Sequence, residues 1–480
     1  MAAKEGVVAN FIWKFAERVS AQLISFVVSI ILARILEPSH YGVVTMVTVF
    51  MTLANTLVSE GFGSALIQKK DAKAVDYSTV LYFNLAFSLV LYLLLYFSAP
   101  LIADFFGEGY QELVPVLRIL GVTIFTSGIS SVQQAYVSKK MIFRKFFAAT
   151  IVGTILSGVV GIYMAYAGFG VWALVVQNIV GSITGVVVLA ISLKKRPVRA
   201  FSFLSLKSMV GYGSRVLATG MIISVYQEIR TVLIGKVYTS SDLAYYNKGR
   251  SFPNLIVVNI NASLSAVLFP KIANVQDNIE EVRTTLKRSL RLGSYIMFPL
   301  MVGMLCVSDN FVRLVLTEKW LPCVPMLQVF CLIYLFQPMH TANVQAIKGI
   351  GRSDICLRLE IIKKILELLS LILVVRISVN AIAVSMAVLT TLFTAINAYP
   401  NKKLFGYGFK DQVRDLLGAL GMSVLMGVCV IAVGWLPLPL WICLGLQIVA
   451  GVTIYIGLSE LLKNKEYLYI KSLLKRLLCK

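Results

Sequence analysis

Apolar residues run through this chain in stretches of about 20, with short polar segments between them. At ~1.5 Å per residue, such a stretch crosses roughly 30 Å of hydrocarbon as a helix. Fourteen stretches fall at about 10–34, 41–67, 80–103, 113–137, 147–167, 170–193, 209–236, 244–270, 292–316, 323–347, 355–376, 379–399, 415–435 and 440–461, with ends that depend on tilt. The pattern predicts an all-α polytopic membrane protein. No polar block is long enough for a soluble domain of ordinary size. The longest inner loop, about 271–291, reads NVQDNIEEVRTTLKRSLRLGS in its core. It is expected to form a short amphipathic helix at the membrane surface.

The polar segments alternate in charge. Lys69, Lys70 and Lys73 follow the second stretch, Lys139, Lys140, Arg144 and Lys145 the fourth, and Lys194, Lys195, Arg196 and Arg199 the sixth. The intervening segments, such as EPSH (37–40), AGFG (167–170) and PLP (437–439), carry no Lys or Arg; Lys319 and Arg376 are exceptions elsewhere. Cationic loops stay in the cytoplasm, so both termini are expected there. The same bias accounts for a net charge of +22 that in a soluble chain would suggest nucleic-acid binding. Composition agrees: 58% of the 480 residues are hydrophobic, and mean hydropathy is +0.82.

The chain resembles itself. VPVLRIL (114–120) and QQA (133–135) are echoed by VPMLQVF (324–330) and VQA (344–346). SALIQK (64–69) is echoed by SAVLFPK (265–271), and Arg18-Val19 by Arg215-Val216. Six spans per repeat give two halves of like orientation, related by an axis along the membrane normal. The expected organisation is one six-helix lobe over 1–200, a second over 201–402, and two additional spans with a basic tail over 403–480. The last two spans read as an appendage.

Charges inside the spans need an explanation, because a charge facing lipid is costly. On a wheel of about 100° per residue, Arg215, Thr219, Tyr226 and Arg230 lie within about 60° of one another, and Lys236 lies about 60° to the other side of Arg215. In the first span Lys14, Arg18, Gln22, Ser25 and Ser29 form a similar stripe. Two readings stand. The cations pair with Glu17, Glu60 and Glu228 and fix packing, or they are left unpaired to hold an anion, for which guanidinium suits phosphate. Glu228 is a candidate structural partner or a carrier of H+ or Na+. In the span at 355–376, Glu360–Lys364 and Lys363–Glu367 are expected as i,i+4 pairs. GSITG (181–185) is expected to be a helix-packing face, and Pro253 with Asn254, Asn259 and Asn261 marks a cavity-lining or hydrogen-bonding helix.

Seven cysteines without a C-x-x-C pair, and two histidines, offer no disulfide framework or metal site. MAAKEGVVAN leads into a full-length span, which is expected to act as a signal anchor. No Walker sequence, H-E-x-x-H or G-x-S-x-G is present, so the expectation is a secondary transporter and not an enzyme, with no cofactor beyond a coupling ion, H+ or Na+.

Several segments then carry a resemblance: ILARILEPSHYGVVTMVTVF, SEGFGSALIQKKD (59–71), VQQAYVSKKMIF (132–143), GFGVWALVVQ (168–177) and LIGKVYTSSDLAYYNKGR (233–250). Together they resemble the bacterial polysaccharide transporters, the Wzx-type lipid-linked oligosaccharide flippases of the multidrug/oligosaccharidyl-lipid/polysaccharide exporter superfamily. The resemblance implies two six-helix lobes plus two helices in the bacterial cytoplasmic membrane. It implies export of an undecaprenyl-diphosphate-linked sugar unit by alternating access during polysaccharide biosynthesis. Membrane lipids, a polymerase and glycosyltransferases are the implied partners. Family members often carry an acid ahead of LIGK, where this chain has Arg230. A drug antiporter of the same superfamily and a membrane polymerase are the rival functions. Basic stripes argue against the first, and small outer loops against the second.

Overall fold

A computed structural model describes the backbone of residues 2–107, 110–194 and 198–478, and the side chains of those residues other than 2–16, 18, 473, 474 and 476–478. The described secondary structure is helical, with no strand among the described residues. Among the described residues, twelve helices are long and apolar enough to cross a membrane. The other two expected spans are helical as well. In one, Ala2–Ile35, the apolar stretch among the described residues is Val19–Ile35; in the other, Ser353–Val374, Glu360, Lys363, Lys364 and Glu367 interrupt the apolar surface.

Contacts divide the chain into Met1–Ala244 and Tyr245–Lys480. The first unit holds α1 (Ala2–Ile35), α2 (Pro38–Gln68), α3 (Ala74–Phe106), α4 (Leu113–Leu120), α5 (Thr123–Lys140), α6 (Phe143–Tyr166), α7 (Val171–Leu193) and α8 (Phe203–Val237). The dividing point falls inside α9 (Ser240–Asn274). By the repeat reading α8 heads the second lobe; by contacts it belongs with the first unit, packed along α2 and α3.

Small residues let these helices approach closely, as expected where lipid removes the hydrophobic drive between them. A Cβ on Gly153 of α6 would stand 3.2 Å from the Gly181 carbonyl and 3.3 Å from the Gly185 nitrogen, so GSITG is a packing face, against α6. Val28 and Leu32 of α1, with Leu36 just beyond its end, bury against Ala165, Ala173 and Leu174. A second core joins Leu66, Val80, Val132 and Met209. Phe97 and Leu101 on α3 stay more than 70% exposed, as side chains turned toward acyl chains would.

The second unit continues with α10 (Ile279–Val315), a short 3₁₀ turn (Glu318–Cys323), α11 (Val324–Leu335), α12 (Gln337–Gly349), α13 (Ser353–Val374), α14 (Val379–Phe405), α15 (Phe409–Gly434), α16 (Leu440–Leu461) and α17 (Lys465–Leu478). The expected separate surface helix over 271–291 is corrected here. From Ile279 it is the first half of α10, because no Pro precedes Pro299 in the helix and Val282, Leu286 and Leu290 are buried on one face. Both expected spans that carry a VPxL motif are broken into two helices, after Leu120 in the first unit and after Leu335 in the second.

The last two spans are built into the unit. α15 packs along α10, and α16 packs on both. Asn343 Nδ2 donates to Gln412 Oε1 at 2.9 Å, while Gln412 Nε2 and Asn401 Nδ2 donate to Asn343 Oδ1 at 2.9 and 2.6 Å. All three amides are buried. Asp415 on α15 accepts from Tyr407 at 2.8 Å and pairs with Lys287 at 3.0 Å and with Arg291.

Candidate substrate-binding surface

α8 of the first unit carries Arg215, Glu228, Arg230 and Lys236. α8 lies antiparallel along α2, and glycines set the spacing. A Cβ on Gly61 would stand 3.0 Å from the Gly213 carbonyl, and one on Gly220 would stand 3.3 Å from Glu60 Cγ and Thr56 Cγ2. Thr56 Oγ1 and Ser224 Oγ share a hydrogen bond of 3.0 Å. Farther along, Gly235 meets Met46 and Phe106. α2 adds a run of hydroxyls: Thr45, Thr48, Thr52 and Thr56 each donate to the carbonyl four residues back, at 2.7 to 2.9 Å. A hydroxyl that donates this way keeps its lone pairs for another donor.

The cations fare differently from one another. Arg230 lies on α8 between the Ser224 and Gly235 contacts. It is half-buried, its Nε is buried without a hydrogen-bond partner, and it forms no ion pair among the described residues. Arg215 is exposed and likewise unpaired among the described residues. Lys236 leaves the stripe: its Nζ donates to the Phe105 carbonyl and sits 5.0 Å from the Phe105 ring centroid. That carbonyl belongs to the last turn of α3, where carbonyls lack helical partners and the helix dipole favours a cation.

Among the acids, Glu17 is buried at 8% exposure and Glu228 is half-buried, and both are partnered. Glu60 is exposed on α2, beside Gly220. Gln22 is half-buried and partnered. Lys14 and Arg18 lie on α1, and their side chains fall outside the described residues. The structure thus brings Arg215, Arg230 and Glu60 onto one helix pair, with the two arginines unpaired among the described residues.

Sequence reasoning passed over two groups in the second unit, the buried Lys248 and the half-buried His340. Lys248 is 8% exposed, with Nζ 5.5 Å from the Trp320 ring and 5.8 Å from the Phe252 ring. His340 is held between Thr394 Oγ1, 2.9 Å from Nε2, and Asn397 Nδ2, 2.8 Å from Nδ1. Thr394 donates to the Thr390 carbonyl, so the network assigns the ring proton to Nε2. The imidazole borders a cavity of about 340 Å³ shared with Glu360, Lys363, Lys364 and Glu367. The expected i,i+4 pairs there are corrected to i,i+3 pairs: Lys363–Glu360 at 2.5 Å and Lys364–Glu367 at 3.3 Å. Three-residue spacing also stacks side chains on one helix face, and each lysine takes the acid nearest in that direction. The signal that was available is the run QPMHTANVQ, a histidine and amides inside an apolar stretch.

Residues 31–325 match the model of a family described as polysaccharide biosynthesis protein. The teichuronic acid biosynthesis protein TuaB of Bacillus subtilis is 29% identical over 63% of this chain, a match that spans 62% of TuaB. The lipopolysaccharide biosynthesis protein WzxC of Escherichia coli is 24% identical over 76% of this chain and 74% of its own length. In fold, the chain is similar to the lipid II flippase MurJ in an inward closed conformation, with a TM-score of 0.75 at 16% identity, over 95% of this chain and 98% of MurJ. An inward-facing multidrug MATE transporter is similar with a TM-score of 0.62 at 15% identity, over 80% of this chain and 94% of the transporter. With apolar helices able to span a bilayer, a MurJ- and MATE-like fold, and a family match over more than half its length, the chain belongs to the polysaccharide biosynthesis protein family of multi-pass membrane proteins.

Proposed function

We propose that this protein is a flippase that carries an undecaprenyl-diphosphate-linked oligosaccharide from the inner to the outer leaflet of the cytoplasmic membrane by alternating access. The observation that carries this reading is Arg230, a half-buried guanidinium with a buried, unpartnered Nε on a membrane helix. A cation kept in that state suits a ligand that brings its own negative charge. Arg215 stands 15 residues earlier on α8, about 22 Å along the axis. With both termini in the cytoplasm, Arg215 lies toward the inner end of α8 and Arg230 toward the outer end. The two are successive stations for a diphosphate, lowering its cost in a low-dielectric path. The lipid tail stays in the bilayer.

The same basic surface disfavours organic cations, which argues against a drug antiporter. The polysaccharide-related names of TuaB and WzxC and the lipid II flippase MurJ support a lipid-linked sugar as cargo. The test is deletion followed by lipid extraction. A diphosphate-linked oligosaccharide should accumulate with its sugar accessible from the cytoplasm. An unchanged lipid pool with normal export of polymer would exclude the reading.

A further inference from the structure

A cavity of about 530 Å³ opens among α1, α5, α6 and α7 of the first unit, within the ~300–1,000 Å³ range of small-molecule sites. In a chain of net charge +22, its described lining includes no Asp, Glu, Lys, Arg or His. Its polarity comes from hydroxyls and amides. Five of the hydroxyls are already committed as donors to their own helices. Thr126 donates to Thr123, Thr150 to Phe146, Thr154 to Thr150, Ser157 to Thr154 and Ser182 to Ile179, at 2.7 to 3.1 Å. Each therefore offers lone pairs to a ligand. The amides follow suit. Asn178 Nδ2 donates to the Leu174 carbonyl at 2.8 Å and Gln134 Nε2 to Ser130 at 2.9 Å, which leaves their carbonyl oxygens as acceptors.

A lining that is uncharged among the described residues and rich in acceptors selects among ligands. An anion brings only acceptors and meets no described cation there. A bare cation is better held by carboxylates in a tight shell, and this space is wide and neutral. A polyhydroxylated neutral ring brings many O–H donors and no charge to desolvate, so it matches the lining. We propose that this cavity holds neutral sugar of the cargo. The inference rests on the reading of that cargo as a lipid-linked oligosaccharide. It separates the recognition of sugar here from the recognition of diphosphate on α8.

The experiment uses the full-length protein in nanodiscs with two probes. One is the lipid-linked oligosaccharide extracted from a deletion strain; the other is undecaprenyl diphosphate without sugar. Thr154→Val and Asn178→Leu, made singly, should each weaken the glycosylated probe about tenfold, the loss of one or two hydrogen bonds. Binding of the bare carrier should be unchanged, and Thr154→Ser should behave as wild type. Wild-type affinity for the glycosylated probe in both Val and Leu variants overturns the proposal. Equal losses for both probes overturn it too, as does a sodium-dependent gain in thermal stability that these variants abolish, which marks a cation site. If the wild-type protein binds neither probe better than phosphatidylglycerol, the flippase reading itself has failed, and the sugar site falls with it.

Discussion

Replacing Arg230 with glutamine separates a cation held for a ligand from one that holds the fold. Its Nε has no hydrogen-bond partner, and no acid pairs with it among the described residues. Removing the charge therefore breaks no ion pair and relieves a buried unsatisfied group, so stability should not fall. Against a diphosphate the same change is large. A bidentate guanidinium–phosphate contact holds two charge-assisted hydrogen bonds of about 1.5–3 kcal/mol each. Glutamine can replace one of them in part, so a net loss of about 1.5–3 kcal/mol is expected, roughly ten- to a hundredfold in affinity. Arg230→Lys keeps the charge but not the fork, and should fall between. The assays are binding of undecaprenyl diphosphate to protein in nanodiscs and the midpoint of thermal aggregation in detergent. Arg291→Gln is the contrast, because its guanidinium is bonded to Asp415 and its loss should lower the midpoint. A marked fall in stability for Arg230→Gln, together with unchanged affinity, would refute the reasoning and return Arg230 to a structural role.

Two further outcomes follow from packing. Asn343→Ala strands Gln412 and Asn401 among buried groups, at a cost of about 1–3 kcal/mol for each unsatisfied amide at most. The second unit should melt earlier, and the Asn343→Ala/Gln412→Ala double variant should lose less than the sum of the singles. Gly42→Ala places a Cβ 1.9 Å from the Ser240 carbonyl oxygen and 2.4 Å from its carbon. Backbone cannot yield as a side chain does, so the monodisperse fraction on size exclusion should drop sharply. Gly418→Ala, with nothing within 4 Å, should be neutral or gain up to about 1 kcal/mol from helix propensity.

The membrane character of the chain, its helical class and the positions of most spans were legible in the sequence. Apolar length and loop charge are local properties, and the bilayer acts on each span separately. GSITG was legible for the same reason: small residues four apart make a packing face wherever the helix is placed. The residues of the α8 stripe could be named from periodicity, but periodicity gives only an angle on one cylinder. It could not say that Lys236 would turn to the end of α3 while Arg230 kept an unpartnered Nε. That depends on which neighbour's carbonyls lie within reach, and only packing of α8 on α2 and α3 fixes them.

The same limit explains the remaining differences. Nothing in residues 403–480 announces that Gln412 will complete a buried amide network with Asn343, since the partners are 69 positions apart. The chamber among α1, α5, α6 and α7, whose described lining is uncharged, is assembled from serines, threonines and amides that look unremarkable on each helix alone. The sequence by itself determined what each segment is, because secondary structure in lipid follows from local hydrogen bonding and transfer free energy. Tertiary structure alone decided which polar groups meet, because that is a property of pairs of helices and not of any one of them.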